Sequence, residues 1–154
     1  MSTFNTKAQE FLAQERLAVA GVSRAKTDAA ANGIYKKLRE SGHQVFPINP
    51  NAEEIEGDTC YPDVQSIPGG VDGVVIITRP ELTEEIVEDC VAANVPRVWM
   101  HNNTFMESSV SQTAVETCRE NDIVVIDGGC PMMFLEFGHK CMRWMLGVMN
   151  RLPE

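Results

Sequence analysis

A chain of 154 residues, 44% of them hydrophobic, fits one domain with its own core. Its formal charge of -9 argues against a general nucleic-acid or membrane-surface binder, because both need a basic face. Five cysteines without CxxC or metal-ligand spacing, no signal-peptide pattern and no bilayer-length apolar run make a reduced, cytoplasmic setting the expectation.

Residues 5–16 read as a short amphipathic helix, with Ala8, Phe11 and Leu12 sharing a face, expected to pack on an edge of a sheet. Residues 17–20 form an apolar run suited to a parallel strand covered on both faces. Gly21 ends it, and Val22-Ser23-Arg24 makes a sharp polar break. A helical pattern over 32–40 follows, with Ile34 and Leu38 at i and i+4 and Gly42 just past its end. The second strand, 44–48, is closed by Asn49-Pro50-Asn51. Residues 51–57 read as a turn or brief helix, and 59–61 as a short strand ended by Pro62. GVVIIT at 73–78 has the strongest strand pattern, and Pro80 ends it. A helix over 81–94 should turn Leu82, Ile86, Val87 and Cys90 inward. A strand at 97–100, a helix over 106–121, a strand at 123–126 and a helix opening at Pro131 and running to 150 complete the chain.

Alternation of this kind predicts a mostly parallel sheet with helices on both faces, in one domain covering 1–154. Ligands then sit beyond the carboxyl ends of the strands, where strand order reverses. A strand, glycine turn and helix in succession aim backbone N–H groups at one point, which suits a phosphate. Arg24, Lys26, Lys36, Lys37 and Arg39 gather beside that turn, as an anionic small ligand would require. The competing reading of the last three is a solvated helix face.

The turn lacks the second and third glycines of a GxGxxG fingerprint. The second strand ends in Asn49 where NAD binding calls for an acid, and no P-loop pattern is present. A charge-assisted hydrogen bond contributes about 1.5–3 kcal/mol, and a helix N-terminus roughly 0.3–1. Micromolar affinity needs about 8.2, so other loops must hold the rest of any nucleotide.

The ordered segments GVSR, VFPINPN, CYPDV, VVIITRPE, VWMHNN and GGCPMMF resemble the CoA-binding domain family. Its members include small stand-alone relatives of the N-terminal domain of the succinyl-CoA synthetase alpha subunit. The resemblance runs from about Leu17 to Phe134. It implies an α/β fold, a Rossmann-like three-layer sandwich, that binds coenzyme A or an acyl-CoA. By that resemblance Gly21, Val22, Ser23, Arg24 and Lys26 line the phosphates. Asn49 and Pro50 lie by the adenosine end, and Thr78, Arg79 and Pro80 wall the site. Met100, His101 and Asn102 flank the pantetheine arm, with Cys130-Pro131 near its far end. The chain has His101-Asn102-Asn103 where many members have Gln-x-Gly. The related ligases carry their phosphorylated histidine in a second domain, for which this chain has no room, so ligase activity alone is not expected.

Ser23 has no Gly-x-Ser-x-Gly or triad context, so a turn hydroxyl outweighs a nucleophile. Cys130, before Pro131 at a helix start, has two readings: a reactive thiol or a small buried residue. His101 reads either as a donor to a ligand or as a loop histidine. No catalytic residue and no metal site is assigned. Phe134, Phe137, Cys141, Trp144 and Val148 form one apolar stripe of the last helix, and Leu135, Met142, Leu146 and Met149 a second. The second stripe is either more core or the contact of a homodimer. The leading reading is thus a non-catalytic module for a nucleotide thiol, binding neither nucleic acid nor membrane. The alternatives are a small NAD(P)-dependent or acyl-CoA-handling enzyme, and a partner subunit of an acyl-CoA ligase.

Overall fold

A computed structural model describes residues 3–25, 29–102 and 108–135. Helix α1 (Phe4–Leu12) leads into β1 (Arg16–Ala20), followed by α2 (Ala30–Glu40) and β2 (Gln44–Ile48). A two-residue hairpin, β3 (Glu54–Ile55) and β4 (Asp58–Thr59), precedes β5 (Gly73–Ile76). Then come α3 (Pro80–Ala92), β6 (Arg97–Met100), α4 (Gln112–Glu120), β7 (Val124–Asp127) and α5 (Met132–Leu135). The final helix read at 131–150 is described only to 135, so Cys141, Trp144 and the rest of both stripes lie outside the described residues.

Five strands form one sheet in the order β2-β1-β5-β6-β7, and every pairing is parallel. Ile48, Ala20, Ile76, Met100 and Asp127 fall in one register row at the carboxyl edge. Alternate strand residues point to opposite faces, and the two packed layers follow that alternation. Leu17, Val19, Val75, Trp99 and Ile126 meet the buried faces of α1, α2 and α5. Ala18, Ala20, Val74, Ile76, Val98, Met100 and Val125 meet α3 and α4. Two apolar layers explain why the central strands carry no polar alternation.

Several sequence expectations shift. The first helix stops at Leu12, and Arg16 opens β1 instead, its backbone N–H held by Asp72 at 3.0 Å. That helix lies across a face of the sheet rather than its edge. Phe4 and Phe11 set ring edges against Trp99, with centroids 6.0 and 5.5 Å away. Residues 54–59, expected as a turn or brief helix and part of a strand, form the hairpin. Tyr61 bridges to Ile48 and prolongs the edge of the sheet. The helix expected over 106–121 starts at Gln112, because the Ser111 hydroxyl accepts from the Ala114 N–H and caps it.

Trp99 is fully buried and donates its indole N–H to the carbonyl of Gly128 at 2.9 Å. Trp99→Phe leaves that buried carbonyl without its partner and a gap in the core. It is expected to lower unfolding free energy by about 2 kcal/mol in a urea titration.

Candidate functional site

The strand order reverses between β1 and β5, so the crevice opens beyond Ala20 and Ile76. Gly21 stands there with φ +107, and a Cβ on it would lie 2.0 Å from the carbonyl oxygen of Ile77. Only glycine allows the first turn to close against the end of β5 in this way. Two asparagines fix the turn from other directions. Asn49, at the end of β2, donates its side-chain amide to the Val22 carbonyl at 2.9 Å. Asn32, in the first turn of α2, accepts from the Ser23 N–H and donates to the Ser23 carbonyl, each at 2.8 Å. The Ser23 hydroxyl accepts from the Ala25 N–H at 3.2 Å, as a turn hydroxyl does.

Two clefts flank this turn. One, of about 710 Å³, lies between the ends of β1 and β2 and the start of α3. Gly21, Val22, Ser23, Asn49, Pro50 and Thr78 all line it, so the structure brings six of the expected residues together. The other, of about 1010 Å³, runs along the β3–β4 hairpin and is lined by Ser23, Arg24, Pro50 and three glutamates, Glu53, Glu54 and Glu56. Both volumes fall in the range of small-molecule sites. Lys26 lies outside the described residues.

The remaining expected residues are spread out. Arg79 is exposed at the N-cap of α3 and Pro80 is that helix's first residue; neither lines the two clefts. Met100 is fully buried in the layer below α3 and α4, so its side chain faces the core. Asn102 is exposed, and its N–H donates to the Gly129 carbonyl at 2.9 Å. Cys130 is 2% exposed and packs in the aromatic layer with Phe4 and Trp99, which favours the small buried residue over an open thiol. Cys60, Cys90 and Cys118 are also buried, and burial raises all three thiol pKa values, that of Cys118 to about 11. Among the described residues no cluster of three or more His, Cys, Asp or Glu could hold a metal, and no helix is long and apolar enough to cross a membrane.

The basic cluster is reapportioned by the fold. Arg39 donates to Asp58 at 2.7 Å, Lys37 lies 3.7 Å from Glu40, and Lys36 lies 3.9 Å from Glu56. These three charges pair with acids of α2 and the hairpin. Sequence reasoning assigned no site role to Asn32, Leu82 or Glu56. Leu82, expected to face inward, is 39% exposed and lines the smaller cleft, because α3 turns only Thr83, Val87 and Cys90 fully into the core. An asparagine in the opening turn of an expected helix was the available signal for Asn32.

His101 follows β6, and only 1% of its surface is exposed. Its backbone is satisfied, donating to Ile76 and accepting from Ser109 at 2.9 and 2.8 Å. Neither ring nitrogen has a hydrogen-bond partner among the described residues. Burial lowers its pKa from 6.5 to about 4, so the imidazole is neutral at ordinary pH.

A family model described as "CoA binding domain" matches residues 15–136. A hypothetical protein from Pyrococcus horikoshii OT3 superposes with a TM-score of 0.75 at 31% identity, over 85% of this chain and 88% of that one. Acetate–CoA ligase [ADP-forming] I of Archaeoglobus fulgidus is 33% identical over 85 residues, 55% of this chain and 12% of the ligase. The alpha subunit of acetate–CoA ligase [ADP-forming] II of Pyrococcus furiosus is 33% identical over 76 residues, 49% of this chain and 17% of the subunit. The chain therefore spans a small part of the ligase relatives it matches.

Between pH 6.5 and about 4 the unfolded chain takes up a proton that buried His101 does not. Stability is expected to fall as the pH drops through that window, by about 3 kcal/mol across it. His101→Gln should remove that part of the slope when urea unfolding is measured on both sides of the window.

Proposed function

Because this chain belongs to the CoA binding domain family, we propose that it holds coenzyme A or an acyl-CoA without transforming it. The observation that carries this reading is the start of α2. Its N-cap, Ala29, makes no side-chain capping hydrogen bond. Asn32 in the same turn is bonded to Ser23 of the glycine turn. A helix start whose N-cap residue carries no side-chain acceptor, beside a glycine turn, offers amide donors and a favourable dipole to an anion such as a pyrophosphate. Gly21, Val22, Ser23, Arg24 and Lys26 are the proposed phosphate residues. Asn49 and Pro50 are assigned to the adenosine end and Thr78 to the wall, while Arg79 and Pro80 stand at the start of α3 outside both clefts. From β6, His101 and Asn102 are the candidates for the pantetheine arm, and Met100 supports them from the core.

The NAD(P) alternative loses ground in the same loop. The Asn49 side chain is engaged at both ends, by the Val22 carbonyl and by the Asn51 N–H at 2.8 Å. It is neither the acid that grips a ribose diol nor free to replace one. A second reading, a CoA-holding subunit completed by a separate ligase chain, is favoured by the match to the Pyrococcus furiosus alpha subunit. In both readings the chain by itself is expected to show no ADP-forming ligase turnover. The setting proposed is cytoplasmic, and light scattering tests the proposed homodimer, which a monomer at high concentration removes.

Calorimetric titration with CoA is expected to give saturable binding, and a thermal-shift panel should show stabilisation by CoA and acetyl-CoA. Stabilisation by NAD or NADP with none by CoA would reverse the reading. Arg24→Ala is expected to weaken CoA binding about tenfold, the loss of one charge-assisted contact at an exposed position.

A further inference from the structure

Asn32 and the hairpin behind it have no role in the reading above beyond scaffolding. Asn32 is the third residue of α2 and is completely shielded from solvent. A buried amide is tolerated only when its polar atoms are used. Its oxygen accepts from the Ser23 N–H, and its nitrogen donates to the Ser23 carbonyl, both at 2.8 Å. The second amide hydrogen goes elsewhere, to the Glu56 carboxylate at 3.0 Å. One side chain thus joins the glycine turn to the tip of the β3–β4 hairpin.

The hairpin tip is built to receive that bond. Glu56 and Gly57 both have positive φ, 53° and 82°, as a tight two-residue connection requires. Glutamate is an unfavourable choice for that backbone region. The tip is tied to α2 by further bonds from the same helix face. Arg39 donates to the Glu56 carbonyl at 3.0 Å and to Asp58, and the Tyr35 hydroxyl also donates to Asp58. Residues 32, 35, 36 and 39 fall on one side of a helix. Glu53, Glu54 and Glu56 wall the larger cleft, while Ser23 lines both clefts.

We propose that Asn32 is the positioning residue of the glycine turn, and that its bond to Glu56 couples the turn to the hairpin, so that each senses the order of the other. Coupling of this kind is reciprocal. A ligand that steadies the turn steadies the hairpin, and a hairpin that is cut loose releases the turn. Only the identity of that ligand rests on the CoA reading; the coupling belongs to the free protein too.

Amide hydrogen exchange followed by NMR tests it first without ligand. Glu56→Ala is expected to speed exchange of the Ser23 amide about tenfold, although position 56 is remote from it in sequence. Thr59→Ala, at an exposed site of the same hairpin, should leave the Ser23 amide as it was. Unchanged Ser23 exchange in Glu56→Ala, or equal acceleration in both variants, overturns the proposal. Asn32→Asp sets a carboxylate against Glu56 and the Ser23 carbonyl, and should speed exchange at both Ser23 and Cys60, whose N–H bonds the Glu53 carbonyl at 2.8 Å. Adding Glu56→Gln supplies a donor to that carboxylate and should restore the Cys60 protection; no recovery counts against the coupling. If Asn32→Asp does not fold, Glu56→Ala carries the decision. With CoA added, the wild-type Cys60 amide should exchange more slowly, and Glu56→Ala should lose that slowing. CoA binding with no change at Cys60 overturns the coupling. Failure of CoA to bind at all overturns the CoA reading, while the ligand-free exchange still decides the coupling.

Discussion

A single carbon atom added at position 21 would sit 2.0 Å from the carbonyl oxygen of Ile77, and the site depends on its absence. Because residue 21 is a glycine, the chain leaving β1 can fold down against the end of β5. From there the backbone runs past Val22 to Ser23, and its polar groups come within reach of Asn49 and Asn32. A larger residue would push the turn away from the sheet and separate it from both asparagines. The turn is therefore defined by a steric constraint on one side and by hydrogen bonds on two others.

The placement of polar groups follows from the same edge. The buried polar residues among those described are Asn32, Thr83, His101, Ser109 and Ser111. Asn32, Thr83 and Ser111 belong to helix starts, and His101 directly follows β6, so they gather beyond the carboxyl ends of the strands. Asn32 is fully bonded, Thr83 bonds Thr78 and the Arg79 carbonyl, Ser109 accepts from the Thr78 N–H, and Ser111 bonds Glu84. His101 differs, with its backbone used and its ring nitrogens unpaired among the described residues. The interior below that row is apolar on both faces. Buried polar groups are costly unless paired, and here the chain concentrates them at the end of the fold where an α/β sheet meets its ligands.

Charge is used in the same economical way. The helix that delivers its N-terminus to the turn carries Lys36, Lys37 and Arg39, but acids meet all three. Two of those acids, Glu56 and Asp58, come from the hairpin, and the Tyr35 hydroxyl and Arg39 together hold the Asp58 carboxyl below its usual pKa. Positive charge on α2 thus anchors a wall of the larger cleft, and Arg24, beside the turn, also lines that cleft.

Much of the architecture was legible in the residues. The second strand and the strand at 97–100 have the expected bounds, because each is an extended run ended by polar residues or by Asn-Pro. The glycine turn and the α/β order were readable too, since a local apolar run, a glycine and a helical period are short-range signals. The hairpin was not. Residues 53–56 carry three acids and no strand pattern, and the bonds from Tyr35 and Arg39 of α2 to Asp58 that accompany the pairing are not a local signal. Leu82 was misassigned for a related reason, since helical period identifies an apolar side without saying how far the sheet beneath extends. The sequence alone determined which segments become strands and helices and where the glycine turn lies, because those depend on neighbours within a few residues. Only the tertiary structure decided that Asn32 and Asn49 hold the turn and that the bases of α2 serve the hairpin, because those bonds join groups nine to twenty-seven residues apart, beyond the reach of local sequence signals.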